Sequence, residues 1–192
     1  MLADYYLQDA RTKEAIAVLE PLSKEKAGYA PAQIRLAAID FFAGRRENAY
    51  QVLERILKDA PKNALTIETK GRFLMVDQKF DEAIKAFDLV IAGNPRALRS
   101  LFLRGIALKS LGKTDAATKA MQRILEISPG ATPAQTQLAE LLLAQNDAKS
   151  AVELLGRVVK AEPRSGIIHF LYGQALLQSG NVTRAEAELV PL

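Results

Sequence analysis

Residues of the same kind recur every 34 positions along this chain of 192 residues. Proline marks the period at Pro61, Pro95, Pro129 and Pro163. Three further columns share the register: one of alanine, one of small residues and one of bulky apolar residues. Their members are Ala15, Ala49, Ala83, Ala117, Ala151 and Ala185; Ala37, Gly71, Gly105, Ala139 and Gly173; and Leu19, Leu53, Phe87, Met121, Leu155 and Leu189. Such a period is typical of proteins in which each supersecondary unit buries its apolar face against its neighbours.

Each unit is predicted to be a pair of α-helices. Apolar residues recur three and four apart on both sides of residues 77–81, as expected for one buried face of a helix. Proline cannot continue a helix interior, so the proline column is expected to end the second helix of each unit. A turn column is expected to end the first helix, because Gly and Asn tolerate a left-handed backbone. It consists of Gly44, Gln78, Gly112, Asn146 and Gly180.

The columns give approximate helix bounds. First helices are predicted at 2–9, 31–43, 65–77, 99–111, 133–145 and 167–179, and second helices at 13–26, 47–59, 81–93, 115–128, 149–161 and 183–190. Pro31 and Pro133 fall in the first turn of their helices, where a missing N–H is tolerated. Asp81 and Asp115 are predicted N-caps of second helices, and Thr132 is the predicted N-cap of a first helix.

Composition narrows the function classes. The chain has no cysteine, which excludes disulfides and thiolate metal sites and leaves both a cytoplasmic and a periplasmic location open. No apolar run reaches the roughly 18–20 residues of a membrane-spanning helix, so no membrane insertion is expected. The first six residues lack a signal-peptide pattern. The net charge of +4 is small, and basic residues mostly alternate with acidic ones, which favours a solvated surface over a nucleic-acid footprint.

Catalytic chemistry is not expected. The single histidine, His169, has no cysteine or second histidine to complete a nucleophile or a metal site, and it is interpreted as a packed, partly buried side chain. No glycine-rich phosphate loop occurs. Acidic pairs such as Asp81 and Glu82 are adjacent, so they point in different directions on a helix. The sequence therefore predicts a non-enzymatic protein without a cofactor or a bound metal.

The pattern of a unit resembles the tetratricopeptide repeat. The best match is Ala64 to Ala97, with Gly71, Ala83, Phe87 and Pro95 at the family's small, alanine, bulky and proline positions. The resemblance divides the chain, as a single array, into a partial unit 1–29, complete units 30–63, 64–97, 98–131 and 132–165, and a truncated unit 166–192. It implies an all-α, right-handed superhelical solenoid. The family's aromatic fourth position is occupied here by Gln33, Ile67, Leu101, Gln135 and His169.

The incomplete units at both ends lead to a further expectation. Solenoids usually carry a polar capping helix at each end, and neither terminus reads as one. The chain is therefore expected to be a segment of a longer array, similar to those of large bacterial repeat proteins, and its end faces are expected to be apolar. End-to-end self-association into a structural array is the alternative function.

The resemblance also implies where a partner binds. In this family the inner positions of the first helices line a concave groove. The residues assigned to the groove are Arg35, Phe41, Arg72, Arg99, Phe102, Ile106, Lys109, Phe170 and Gln174. Many of the matching positions are apolar, and exposed apolar surface usually marks an interaction site. The chain is thus expected to be a scaffold that binds a peptide or a helix of another protein.

A local excess of positive charge leaves one alternative open. Residues 96–123 contain seven basic residues and one acidic residue, Asp115. Arg99 and Lys109 would then meet an acidic segment of a partner, although a solvated helix surface explains the same charges. RNA is the less favoured ligand, because the groove positions show no regular polar code.

Overall fold

The computed structural model describes residues 2–25 and 29–189, and over these ranges the chain forms twelve α-helices and no strand. The first helices of the repeats are α1 (Leu2–Gln8), α3 (Tyr29–Phe42), α5 (Ala64–Val76), α7 (Leu98–Ser110), α9 (Thr132–Ala144) and α11 (Gly166–Gln178). The second helices are α2 (Thr12–Leu22), α4 (Arg46–Asp59), α6 (Phe80–Gly93), α8 (Thr114–Ile127), α10 (Ala148–Ala161) and α12 (Val182–Leu189). The all-α prediction is confirmed.

The chain divides into two compact units, the N-terminal unit Met1–Pro95 and the C-terminal unit Arg96–Leu192. In the N-terminal unit, α1 packs on α2, α3 on α4 and α5 on α6, while α2 and α4 pack on the first helix that follows them. In the C-terminal unit, α7 packs on α8, α9 on α10 and α11 on α12, with α8 against α9 and α10 against α11. Each helix therefore contacts its near neighbours in sequence, as expected for stacked repeats.

The small and bulky columns meet inside each helix pair. Every member of the alanine column is fully buried, and the bulky residues whose exposure is described range from fully to largely buried. A Cβ atom built on Gly71 would lie 2.6 Å from Cε1 of Phe87, and one built on Gly173 would lie 2.6 Å from Cδ2 of Leu189. Glycine at these two positions leaves room for the Phe87 ring and the Leu189 side chain, because an alanine methyl group would overlap them.

The turn column adopts the predicted left-handed backbone. Its φ angles are 86° at Gly44, 60° at Gln78, 69° at Gly112, 62° at Asn146 and 82° at Gly180. The same position one repeat earlier is occupied by Ala10, with a φ of 57°. Ala10 is therefore a sixth member of the turn column. Its residue type does not predict this, since alanine rarely takes a left-handed conformation.

Most helix bounds lie within two residues of the predicted ones, but the three predicted N-caps are wrong. Asp81 and Asp115 are the second residues of α6 and α8, whose N-caps are Lys79 and Lys113. Thr132 is the first residue of α9, and Ala131 is its N-cap. Helices α6 and α8 begin earlier because the residue that follows the left-handed turn residue, Gln78 or Gly112, already takes the cap position. Both aspartates instead face the positive end of the helix dipole.

The second helix of the first repeat is shorter than predicted. It ends at Leu22, and its predicted end at residue 26 lies outside the described residues. Pro21 occupies the last turn of this helix. A proline there cannot donate an i to i−4 hydrogen bond, and the chain leaves the helix two residues later. The predicted end of the last helix at residue 190 also lies outside the described ranges.

Candidate functional site

Two adjacent aromatic residues near the end of α3 have opposite environments. Phe41 is 2% exposed, whereas Phe42 is 68% exposed. The ring of Phe41 stacks on Phe73 of α5 with centroids 4.0 Å apart and planes 9° apart. The assignment of Phe41 to a ligand-lining surface is therefore corrected. Its side chain belongs to the core because it points towards α5, and its neighbour faces solvent.

An aromatic cluster surrounds Phe41. Tyr50 of α4 meets Phe41 and Phe73 edge to face, with centroid distances of 6.0 and 5.9 Å. The Tyr50 hydroxyl donates a hydrogen bond of 2.8 Å to Asp77 Oδ2, and Arg46 Nη1 lies 2.8 Å from Asp77 Oδ1. Burial, followed by the hydrogen bond to Asp77, raises the pKa of Tyr50 well above its usual range. The cluster ties α3, α4 and α5 together at the base of Phe42.

An apolar pocket opens beside Phe42. Its volume is about 440 Å³, and it is lined by Leu7, Thr12, Ala38, Ile39, Phe42 and Ala43. Arg35 lies on the same helix and forms an ion pair with Asp4 of α1, with Nε 2.7 Å from Oδ1 and Nη2 3.2 Å from Oδ2. The hydrogen bond from Arg35 lowers the pKa of Asp4. Arg72 lies exposed on α5.

In the C-terminal unit the first helices also leave apolar side chains in contact with solvent. Phe170 and Leu177 of α11 are 50% and 48% exposed, and Gln174 lies exposed between them in sequence. Phe102 and Ile106 of α7 are half-buried. The structure thus leaves four predicted groove residues accessible to solvent, and whether they bind a partner stays a prediction: Phe102, Ile106, Phe170 and Gln174.

Polar side chains connect the first helices of the C-terminal unit. Lys109 of α7 donates a hydrogen bond of 3.0 Å to Gln137 Oε1 and forms a short ion pair with Glu140, both on α9. Gln178 of α11 donates to the carbonyl oxygen of Leu143 at 3.3 Å. Lys109 is therefore engaged within the chain. Arg99 lies exposed at the start of α7.

His169 lies between two acceptors. Its Nδ1 is 2.8 Å from Glu188 Oε2, and its Nε2 is 3.1 Å from the carbonyl oxygen of Pro163. The hydrogen bond to Glu188, and then the one to Pro163, raise the pKa of His169. Both acceptors are satisfied only when both ring nitrogens carry protons. The side chain is half-buried, as expected, and it holds α12 against α11.

Gln135 makes a similar connection one repeat earlier, because its Nε2 donates a hydrogen bond of 2.8 Å to the carbonyl oxygen of Pro129. Sequence reasoning did not identify this role for the polar residues of the fourth position. The signal was present, since both Gln135 and His169 follow a proline of the 34-residue column by six positions.

The described residues hold no arrangement suited to a metal. Within 2–25 and 29–189, no three His, Cys, Asp or Glu side chains are grouped as a metal-binding cluster. None of the helices in the same ranges combines the length and apolar character needed to cross a membrane.

Comparison with known families identifies the repeat. A family model described as tetratricopeptide repeat matches residues 69–132 and 136–190, and a second model with the same description matches residues 6–67. Together they cover most of the chain. The fold is also that of a solved structure of PilF from Pseudomonas aeruginosa, with a TM-score of 0.83 at 17% identity, over 100% of this chain and 87% of that one.

Two curated proteins share parts of the sequence. The tetratricopeptide repeat and J domain-containing co-chaperone DNJ1 of Fusarium oxysporum is 34% identical over 96 residues, which are 48% of this chain and 18% of that protein. ER membrane protein complex subunit 2-A of Xenopus laevis is 23% identical over 142 residues, which are 74% of this chain and 46% of that protein. The chain thus spans less than half the length of either relative.

Proposed function

This chain belongs to the tetratricopeptide repeat family of protein-interaction repeats, and from that premise we propose that it is a non-enzymatic scaffold that binds a peptide segment of another protein. The binding surface is the solvent-facing side of the first helices. Each unit offers its own part: Phe42 and its pocket in the N-terminal unit, and, separately, Phe102, Ile106, Phe170, Gln174 and Leu177 in the C-terminal unit.

The observation that carries the proposal is the exposure of large apolar side chains on first helices whose other faces are packed. Phe42, Phe170 and Leu177 are each close to half exposed or more. Exposed aromatic groups on a packed support are the residues from which a partner gains most binding energy. Their presence on first helices of both units favours a ligand-binding surface over isolated exposure.

Two charged side chains of this surface are expected to contribute little to binding, so apolar contacts should contribute most. Arg35 is paired with Asp4, and Lys109 with Glu140, so both cations already have a partner within the chain. Exposed ion pairs contribute little and are screened by salt. The expected partner segment is therefore recognised mainly by its apolar side chains. The curated relatives support partner binding in general terms, since one is named a co-chaperone and the other a subunit of a complex.

Selection of peptides from a random phage-displayed library on the full chain tests the proposal. Enriched peptides are synthesised, and their affinity is measured by fluorescence anisotropy. The double variant Phe42→Ala/Phe170→Ala should weaken binding at least about tenfold, because truncated aromatic anchors cost the most. Leu89→Ala is the matched control. Leu89 is 65% exposed but lies on a second helix, so its truncation should change affinity less than about twofold.

Three results would contradict the proposal. No peptide is enriched, or Leu89→Ala abolishes binding while the double variant retains it. Binding that falls steeply between about 50 and about 500 mM salt would indicate an electrostatic ligand such as RNA. Light scattering after size-exclusion chromatography separates the remaining alternative, since stoichiometric oligomers that form without any peptide would support a self-assembling array.

A further inference from the structure

The pocket beside Phe42 is lined by residues of three helices, with Leu7 from α1, Thr12 from α2 and the remainder from the last turns of α3 and the residue after it. Five of its six lining residues are apolar, and Thr12 is the polar one. Its volume of about 440 Å³ lies within the range of about 300–1,000 Å³ that is usual for ligand pockets.

We propose that this pocket is an anchor site for one uncharged, leucine-like or aromatic side chain of a partner segment that itself carries no net charge. The inference rests on the proposed function, because it assigns part of the same binding surface to a ligand of defined chemistry. Phe42 forms one wall of the site, and Leu7 forms another.

The wall formed by Phe42 has a fixed base. Phe41 packs edge to face against Phe42 with centroids 5.4 Å apart, and it is itself stacked on Phe73 and contacted by Tyr50. The backbone of the last turn of α3 is therefore held by a buried cluster, while the Phe42 ring stays accessible. A preformed wall of this kind lowers the ordering cost of binding.

Two charged residues of α3 that neighbour the pocket residues in sequence are paired within the chain. Arg35 binds Asp4 through two hydrogen bonds. Asp40, next to Ile39, accepts hydrogen bonds from Arg45 and a short one from Asn48. A charged ligand group entering beside these pairs would lose hydration and gain no unpaired counter-charge from them.

The wider charge distribution agrees with this assignment. The N-terminal unit contains fourteen basic and fourteen acidic residues, so it has no net charge. The C-terminal unit contains twelve basic and eight acidic residues and carries the whole excess of +4. The N-terminal unit therefore offers no excess charge that would attract a charged segment to the pocket beside Phe42.

The experiment compares two single variants of the full chain against the peptides selected from the phage library. Phe42→Ala removes one wall of the pocket, and Phe170→Ala removes a similarly exposed aromatic group from the other unit. Circular dichroism confirms that both variants fold, which is expected because both side chains are at least half exposed. Methyl NMR of the labelled chain locates the bound peptide through the signals of Leu7, Ala38 and Ile39.

The expected peptides are uncharged and contain leucine or an aromatic residue. Phe42→Ala should weaken the binding of these peptides at least about tenfold, and Phe170→Ala should weaken it less than about threefold. Their affinity should change less than about threefold between about 50 and about 500 mM salt. Replacing the anchoring side chain of the peptide with alanine should reproduce the loss seen with Phe42→Ala.

Other outcomes overturn the inference while leaving the proposed function intact. One such outcome is a set of peptides whose binding requires Phe170 and shifts no methyl signal of the pocket. That result would show that the scaffold binds its partner at another site. Enrichment of acidic peptides that shift the pocket signals would contradict the uncharged ligand. Concentration-dependent dimers that Phe42→Ala abolishes would show that a second copy of the chain occupies the pocket. The absence of any binding peptide would instead count against the proposed function itself.

Discussion

Ile67 in the N-terminal unit and Gln135 in the C-terminal unit hold the same position of their repeats, and each borders a crevice at the turn between repeats. The two crevices have similar volumes, about 460 and 420 Å³. The first is lined by Leu89, whereas the second has Arg157 at the equivalent place. The 34-residue repeat thus determines the size of the crevice, whereas the residue types at the lining positions determine whether it is apolar or charged.

The two units also differ in how their helices are joined. Nine of the twelve Phe and Tyr residues belong to the N-terminal unit, where Phe41, Tyr50 and Phe73 form one cluster. The C-terminal unit holds only three of these aromatic residues. Both units also carry ion pairs between helices, such as Arg35 with Asp4 and Lys109 with Glu140. Buried aromatic packing contributes more to stability than exposed ion pairs do. The units should therefore respond differently to mutation at the repeat positions that the aromatic cluster occupies.

The largest difference is expected at the twelfth position of the repeat, which holds Phe41 in one unit and Leu177 in the other. Phe41→Ala leaves a cavity under the aromatic cluster and should cost about 3–5 kcal/mol of unfolding free energy. Leu177→Ala removes a side chain that is 48% exposed and should cost less than about 1 kcal/mol. Urea unfolding followed by circular dichroism measures both. Equal losses would show that the two units are packed alike.

A smaller effect is expected from the close approach of helices. Gly71→Ala places a methyl group against the ring of Phe87 and should cost about 1–3 kcal/mol. Gly93→Ala is the control, because an added Cβ at Gly93 meets nothing within 4 Å. In one repeat of the C-terminal unit the same two columns hold Ala139 and Leu155, both fully buried.

Placing the residue types of Ala139 and Leu155 at positions 71 and 87 tests whether the small and bulky columns compensate each other. The double variant Gly71→Ala/Phe87→Leu should be more stable than the sum of its single variants predicts, because leucine leaves room for the new methyl group. Additive losses in the double-mutant cycle would mean that the small and bulky columns do not compensate each other, and that their joint recurrence has another cause.

Two substitutions in the turn column, one in each unit, should change stability in opposite directions. Gln78→Gly relieves a left-handed residue that has a side chain and should stabilise the chain by about 1 kcal/mol. Gly112→Ala introduces the same strain in the C-terminal unit and should destabilise it by about 1 kcal/mol. No atom lies within 4 Å of a Cβ added at Gly112, so this cost is one of backbone conformation alone. Thermal unfolding midpoints that move in the same direction would contradict the assignment.

The smallest effect is a dependence on pH that His169 adds to the C-terminal unit. The pKa of His169 is raised on folding, so its stabilisation is complete below the unfolded value of about 6.5 and is lost as the pH rises through the folded value. The loss should be less than about 1 kcal/mol, because the pair with Glu188 is part-exposed.

His169→Gln provides the matched variant, since Gln135 shows that glutamine at this position still binds the proline carbonyl. Hydrogen exchange of α12 amides at several pH values should show protection in the native chain that declines as the pH rises through the raised pKa of His169, and no such decline in the variant. Protection that increases with pH would show that the charged imidazole does not hold α12.

Much of the fold could be predicted because it depends on strictly periodic positions. Six buried alanines, a left-handed turn in every repeat and nearly all helix bounds follow from spacing alone. The N-caps could not be predicted in this way. Asp81 has a suitable side chain, but the turn places Lys79 at the cap, and residue type does not reveal a shift of two positions.

By itself the sequence determined that this protein is a tetratricopeptide repeat chain of helix pairs, because a 34-residue register constrains every unit at once and tolerates single departures from the pattern. Only the tertiary structure decided that Phe41 is buried and Phe42 exposed, and that Lys109 is paired with Glu140. Adjacent side chains on a helix point about 100° apart, so the neighbouring helix selects which of them is covered. Pairing across helices likewise depends on residues about thirty positions away, whose proximity no local pattern encodes.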